Sequence, residues 1–520
     1  MYERPSHRSR PVPAGNTRLL RRGFGASDQG GHVLHRSKAT ATATVARAIG
    51  VTAVLLAGTT AVAVPAYAAP AAAADDSAAA ASGAAAPKAD FDGDGYADTV
   101  SGAPKATVGG KQYAGYLTVT YGSAKGTSTT KRQLFSANSE AVPGSVEDYG
   151  NFGGQTAARD FDGDGVTDLA VAGGGGAVIL WGEKGKGLTG GTKVSADGGA
   201  QLAAGDFDGD KKPDLALAGG QFDDTVEVLY GGFTREGKPA RTGQVKTGHT
   251  FAPTSLTAGD VTGDGADDLV TTHAFEEMSE SSEFYTGSKD GLVDKAKDVD
   301  DAETAVIADV NKDGFGDLVI RTVPGGVVED LPHDHGTVKV LYGSAQGPST
   351  EKTTTLTQNS PGVPGANEEG DEFGKALAAG DVNGDGYADI AVGVPGEDIG
   401  SGAAGKDTGA VVQLLGGKNG LTGTGAKNWD QGSAGVPGAV EAGDRFGAAL
   451  GFGDTDNDGR DDLAIGAPGE DGDASATDAG AVWVLRGADG GLTADGVVSY
   501  GPKTLGGPEK GSGLGSAFSR

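Results

Sequence analysis

Apolar positions along this chain come in short runs closed by glycine. Leu169-Ala-Val-Ala, Leu215-Ala-Leu-Ala and Leu463-Ala-Ile-Gly form one set, and Thr337-Val-Lys-Val-Leu-Tyr, Ala410-Val-Val-Gln-Leu-Leu and Ala481-Val-Trp-Val-Leu-Arg form a second. Runs this short, bounded by Gly and Asp, predict buried strands rather than helices.

Between the strands of each unit lies one polar pattern, Asp-x-[Asp/Asn]-x-Asp-Gly-x-x-Asp. It occurs seven times, starting at Asp90, Asp160, Asp206, Asp260, Asp309, Asp381 and Asp454, with separations of 70, 46, 54, 49, 72 and 73 residues. A pattern recurring at this period marks a repeat architecture. Two copies depart from it: Thr262 takes the third position of the fourth copy, and Lys211 replaces the glycine of the third.

The spacing has a specific chemistry. Alternate carboxylates at positions one, three and five converge when the segment curls, the glycine at position six permits the turn, position seven offers its carbonyl, and the Asp at position nine closes the shell. The candidate ligand sets are therefore Asp90, Asp92, Asp94, Tyr96 and Asp98; Asp160, Asp162, Asp164, Val166 and Asp168; Asp206, Asp208, Asp210, Lys212 and Asp214; and Asp260, Thr262, Asp264, Ala266 and Asp268. The remaining three are Asp309, Asn311, Asp313, Phe315 and Asp317; Asp381, Asn383, Asp385, Tyr387 and Asp389; and Asp454, Asp456, Asp458, Arg460 and Asp462. Hard oxygen donors in this number favour Ca²⁺ over zinc or copper, so up to seven calcium ions are expected. An EF-hand needs Glu at position twelve and flanking helices. Here that position is Ser101, Val171, Leu217, Thr271, Ile320, Val392 or Ile465, inside the strand runs.

Each unit is thus several short strands with an acidic loop between two of them, which predicts an all-β, seven-bladed propeller of four-stranded blades. Phe152-Gly153, Phe373-Gly374 and Phe446-Gly447 precede their loops at a common distance, and Gly466-Ala467-Pro468 follows the last loop. Phe446-Gly447, the loop from Asp454 to Asp462 and Gly466-Ala467-Pro468 together resemble the FG-GAP repeat of integrin α-chain heads. The resemblance covers residues 88–520 and implies a propeller with calcium loops clustered on one face. Leu514-Gly515-Ser516-Ala517-Phe518 is similar to the strand at Phe446-Gly447, whereas the first unit starts directly at its loop. The C-terminal strand is therefore expected to complete the first blade and close the ring, leaving no open sheet edge.

Composition supports this picture and narrows the function. The chain has 520 residues, 94 glycines and no cysteine, which excludes disulfides, thiolate metal sites and a cysteine nucleophile. Its formal charge is −29; removing the first 68 residues, with nine Arg/Lys against Glu3 and Asp28, takes that to −36. So acidic a surface excludes nucleic acid as a partner and calls for cations. An Arg-rich stretch, the apolar run from Ala48 to Val64 and Ala66-Tyr67-Ala68 predict a signal peptide over residues 1–68, and an Ala-rich linker follows over 69–87. The expectation is a secreted or cell-envelope monomer with no membrane insertion after cleavage.

Other motifs have plainer readings. Gly185 to Gly190 matches a phosphate-loop pattern but belongs to a recurrent loop after a strand, with no helix to meet a phosphate. His333-Asp334-His335 reads as a polar loop tip, and the Val-Pro-Gly-x-x-Glu segments carrying Glu147, Glu368 and Glu441 read as connections between blades. No Gly-x-Ser-x-Gly elbow is present. The resemblance implies a binding or adhesion module for an extracellular protein or glycan. Alternatives are a hydrolase or lyase acting on polysaccharide or lipid, and a glycan-binding lectin.

Overall fold

The computed structural model describes residues 89–520, apart from 174–175, 196–200, 221–223, 276–277, 323–334, 401 and 473–475. The predicted signal peptide and linker lie outside the described residues, as do His333 and Asp334. Seven four-stranded antiparallel sheets form a seven-bladed β-propeller. Blade one is made of Ala517–Phe518, Thr99–Ala103, Tyr116–Tyr121 and Ser128–Phe135, from the axis outward. The innermost strands of the others are Gln155–Arg159, Ser255–Gly259, Thr304–Ala308, Leu377–Gly380 and Ala449–Gly453, with Gln201–Gly205 in blade three.

Burial follows position in the blade. Second strands such as Asp389–Val394 and third strands such as Ala410–Leu414 are buried at every residue, because each is covered on both faces by neighbouring blades. Outer strands such as Ser128–Phe135 are partly open to solvent, and the exposed middle of this one carries Lys131 and Arg132. Innermost strands are short and rich in Ala and Gly, since seven of them converge on one axis; they surround a central cavity of about 880 Å³. Apolar clusters fill the seams between blades. Ala103, Tyr116, Ala464, Val484, Tyr500 and Phe518 fill the seam between blades seven and one.

That seam closes as the sequence predicts. Ser101 and Gly102 pair with Phe518 and Ala517. The Gly515 N–H donates to the Gly102 carbonyl at 3.1 Å. A Cβ on Gly466 would lie 1.8 Å from the Gly515 carbonyl, and one on Gly393 2.1 Å from the Gly447 carbonyl. The glycine of each Gly-Ala-Pro or Gly-Val-Pro element is thus required because the backbone of the next blade's Phe-Gly, or of Leu514-Gly515 at the closing seam, presses on it. This contact between blades is the physical content of the FG-GAP pattern.

Candidate functional site

Every nonapeptide occupies the connection entering the second strand of its blade, so all seven lie on one face of the ring. Each is curled by the same hydrogen bonds. The Asp at position one accepts from the N–H of position five at 3.0–3.2 Å and from that of position six at 2.7–2.9 Å. The position-seven N–H, from Tyr96, Val166, Lys212, Ala266, Phe315, Tyr387 or Arg460, donates to the side chain of position five at 2.9–3.2 Å.

The structure brings ligand atoms of Asp90, Asp92 and Asp94 within 4.8 Å of one another, and likewise Asp206, Asp208 and Asp210, and Asp454, Asp456 and Asp458. In the second loop the converging set is Asp160, Asp162 and Asp168. Position three supplies the test of whether a cation fits. Asp92 Oδ1, Thr262 Oγ1, Asn311 Oδ1 and Asp456 Oδ1 are all buried without a hydrogen-bond partner among the described residues. Four equivalent orphaned oxygens in four loops fit an oxygen-liganded cation, since a buried acceptor otherwise loses its water without compensation. Thr262, the apparent departure from the pattern, presents its oxygen as Asp92 and Asp456 do.

Position nine has a further role. Asp98, Asp168, Asp214, Asp268, Asp317, Asp389 and Asp462 are buried, and one oxygen of each accepts the position-two N–H at 2.8–3.2 Å. The other accepts, at 2.6–3.0 Å, the N–H of a glycine at the end of the third strand or just past it: Gly122, Gly182, Gly231, Gly287, Gly343, Gly416 or Gly487. Each carboxylate therefore clamps the loop to the third strand, and the oxygen that accepts from the glycine keeps a second lone pair for a cation. Burial pushes these carboxyls up against the pull of those bonds, to about 8 for Asp98 and about 7 for Asp168, Asp214, Asp268, Asp317 and Asp389. Asp462 is raised to about 6. A divalent cation would offset the cost of their charge.

The loops are also linked around the ring. The position-eight N–H of one blade donates to the position-one carbonyl of its neighbour at 2.7–3.1 Å, from Ala97 to Asp454, Thr167 to Asp90, Asp267 to Asp206, Gly316 to Asp260, Ala388 to Asp309 and Asp461 to Asp381. Pro213 holds the seventh place and has no N–H to give. Basic side chains approach several loops: Lys131 pairs with Asp92, Arg486 with Asp456, Arg235 with Asp162 at 2.6 Å and Arg241 with Asp208 at 2.8 Å. Their positions between and beyond the repeats gave no signal in the sequence. As expected, Gly185 sits in a turn leading into the strand Gly187–Ser195, and Glu147, Glu368 and Glu441 lie in connections between blades.

Fold and loops together define a seven-bladed propeller with an acidic nonapeptide in each blade. The family model described as FG-GAP repeat matches residues 373–412 and 446–485, and that described as FG-GAP-like repeat matches 160–217. The chain carries FG-GAP repeats and is similar to integrin α chains. It is 29% identical to integrin alpha pat-2 of Caenorhabditis elegans over 237 residues, which is 42% of this chain and 18% of that one. It is 35% identical to integrin alpha-PS5 of Drosophila melanogaster over 168 residues, 32% of this chain and 15% of that one. The chain spans less than a fifth of the length of these relatives. Among solved structures, one described as showing recognition of non-reducing terminal N-acetylglucosamine by an Agrocybe aegerita lectin aligns with a TM-score of 0.39 and 16% identity, over 68% of this chain and 81% of that chain.

Proposed function

We propose that this protein is an extracellular binding or adhesion module whose propeller is stabilised by calcium in the nonapeptide loops and whose opposite face meets a protein or glycan. The observation that carries the calcium reading is the set of orphaned position-three oxygens on Asp92, Thr262, Asn311 and Asp456. Positions one, three and five, the position-seven carbonyl and the position-nine carboxylate would hold each ion. Calcium supplies charge compensation and cross-linking of each loop, not reaction chemistry. The extracellular placement rests on the predicted signal over residues 1–68 and on the integrin α chains among the relatives. No helix among the described residues is long and apolar enough to cross a membrane.

The opposite face offers a contact for such a partner. Tyr113 and Tyr149 are 42% and 63% exposed, the largest exposure of any described aromatic, and their rings stack at 5.5 Å between centroids. Paired exposed aromatics suit a sugar face or an apolar side chain. The test is calcium-dependent binding of the purified protein to glycan and protein arrays, with turnover assayed in parallel. Calcium-dependent capture that is lost on Tyr149→Ala supports the module. Turnover of a polysaccharide or lipid substrate would replace it with an enzyme.

A further inference from the structure

Blade four carries a cluster found at no equivalent place in the repeat. Ligand atoms of His249, His273 and Glu283 lie within 4.8 Å of one another. His273 sits thirteen residues after the first Asp of its loop, where the other blades hold Ala103, Gly173, Gly219, Thr322, Val394 or Ala467. The pairing of Asp268–Phe275 with Met278–Tyr285 shifts register between Thr271 and His273, whereas the same pairing in the other six blades runs without a shift. A bulge of this kind re-aims a side chain. The cluster lies toward the hairpin end of these strands, and His249 comes from the connection between blades three and four, so it belongs to the face opposite the nonapeptides.

The surroundings are those of a metal site with its outer partners in place. His273 is only 1% exposed; its Nε2 meets Thr271 Oγ1 at 2.7 Å, and its Nδ1 has no hydrogen-bond partner among the described residues. His249 Nδ1 is 2.9 Å from Glu280 Oε2, which leaves its Nε2 for a ligand. Glu283 accepts from the Tyr285 hydroxyl at 2.7 Å and from the Gly248 N–H at 2.9 Å, so its carboxylate is held in place. The two imidazoles stack at 3.9 Å between ring centroids. Carboxylate support of a ligand imidazole and hydrogen bonds to a ligand carboxylate are the arrangement that orients metal ligands.

We propose that His249, His273 and Glu283 bind one zinc-class divalent cation, at a site chemically separate from the oxygen-only nonapeptides. Two imidazoles and one carboxylate suit a borderline-soft cation and disfavour calcium. A tetrahedral zinc site places ligand atoms roughly 3.4 Å apart, so the three groups need only side-chain rotation to close on the ion.

The test titrates the full chain with zinc by calorimetry, and with cobalt by visible absorption, in millimolar calcium to keep the loops filled. One equivalent per chain is expected, with the intense absorption of four-coordinate cobalt, and it is lost in His249→Gln and in His273→Gln. Glu280→Gln should retain the equivalent with affinity lowered about 10–100-fold. Melting in calcium without zinc checks that the variants fold. His249→Gln, altered in a connection rather than a strand, decides the matter if His273→Gln does not fold. Zinc uptake unchanged in folded His249→Gln, or no zinc equivalent in the native chain, overturns the assignment.

Discussion

On the nonapeptide face, seven blades repeat the same hydrogen bonds to within a few tenths of an ångström; on the opposite face they differ. Blade one exposes the Tyr113 and Tyr149 pair there, and blade four holds its histidines. Arg321 of blade five is fully buried against Glu303, which also pairs with Lys375 at 2.7 Å, while Glu372 pairs with Arg445. Blades six and seven share a Gln to Glu contact of 2.6 Å, Gln358 with Glu397 and Gln431 with Glu470. The difference teaches that one face meets a common backbone demand, while the other leaves each blade free to carry its own chemistry. The proposed partner recognition is placed on the second face for that reason.

The comparison breaks most directly by removing calcium. If each loop binds near ~10⁻⁴ M, a few millimolar calcium adds about 2 kcal/mol per occupied site, and several sites rival the stability of an ordinary domain. Chelation should therefore lower Tm by ~10 °C or more, measured by calorimetry with and without EDTA. An unchanged Tm would mean that the hydrogen bonds and the approaching lysines and arginines hold that face unaided.

The next effect belongs to the opposite face and should not depend on calcium. Glu303→Gln leaves the Arg321 guanidinium buried beside an uncharged partner, a loss of about 3–5 kcal/mol in urea unfolding at saturating calcium. An equal loss only after chelation would show that the two faces are not separable.

What the sequence disclosed follows this division. The loops, the strand runs and the closure by Ala517–Phe518 were legible because repetition supplied seven readings of one pattern. The clamp at position nine was half legible: the aspartate recurs at a fixed place, but its glycine partner follows at irregular distances, from Asp168 to Gly182 and from Asp389 to Gly416. His249, His273 and Glu283 were not legible, since a bulge and a connection between blades bring them together and neither has a local sequence signature.

A smaller effect separates the faces by pH. Burial raises Glu397 and Glu470 from an ordinary 4.5 to about 7, and raises Asp371 and Asp444 to about 6. The folded state thus holds these protons more tightly than the unfolded chain. The contribution of the two glutamates is complete below about 4.5 and is lost as pH rises through about 7, and that of the two aspartates is complete below about 3.8 and is lost through about 6. In excess calcium, the doubly substituted Glu397→Gln, Glu470→Gln protein should gain about 1–2 kcal/mol over the native chain at pH 8 and little at pH 5, after discounting for solvent screening. A constant difference across that range would place the two glutamates in water.

The smallest effect tests whether the loop face is uniform because its backbone requires it. Position six has φ between +81° and +100° in six loops, all glycine, and Lys211 adopts +67° in the third. A left-handed residue with a Cβ costs about 1–2 kcal/mol, partly offset by the greater unfolded-state freedom of glycine. The Lys211 N–H donates to Asp206 at 2.8 Å, and glycine would keep that bond. Lys211→Gly should therefore stabilise the protein by about 0.5–1 kcal/mol with calcium uptake unchanged. Tyr149, at φ +62° on the opposite face, is the control. Tyr149→Gly relieves the same strain but forfeits the ring stacking with Tyr113, worth about 0.5–1.5 kcal/mol, and should yield no net gain. Equal stabilisation by both substitutions would show that the tyrosine is not held there by its partner ring, and the contrast between the faces at this level would vanish.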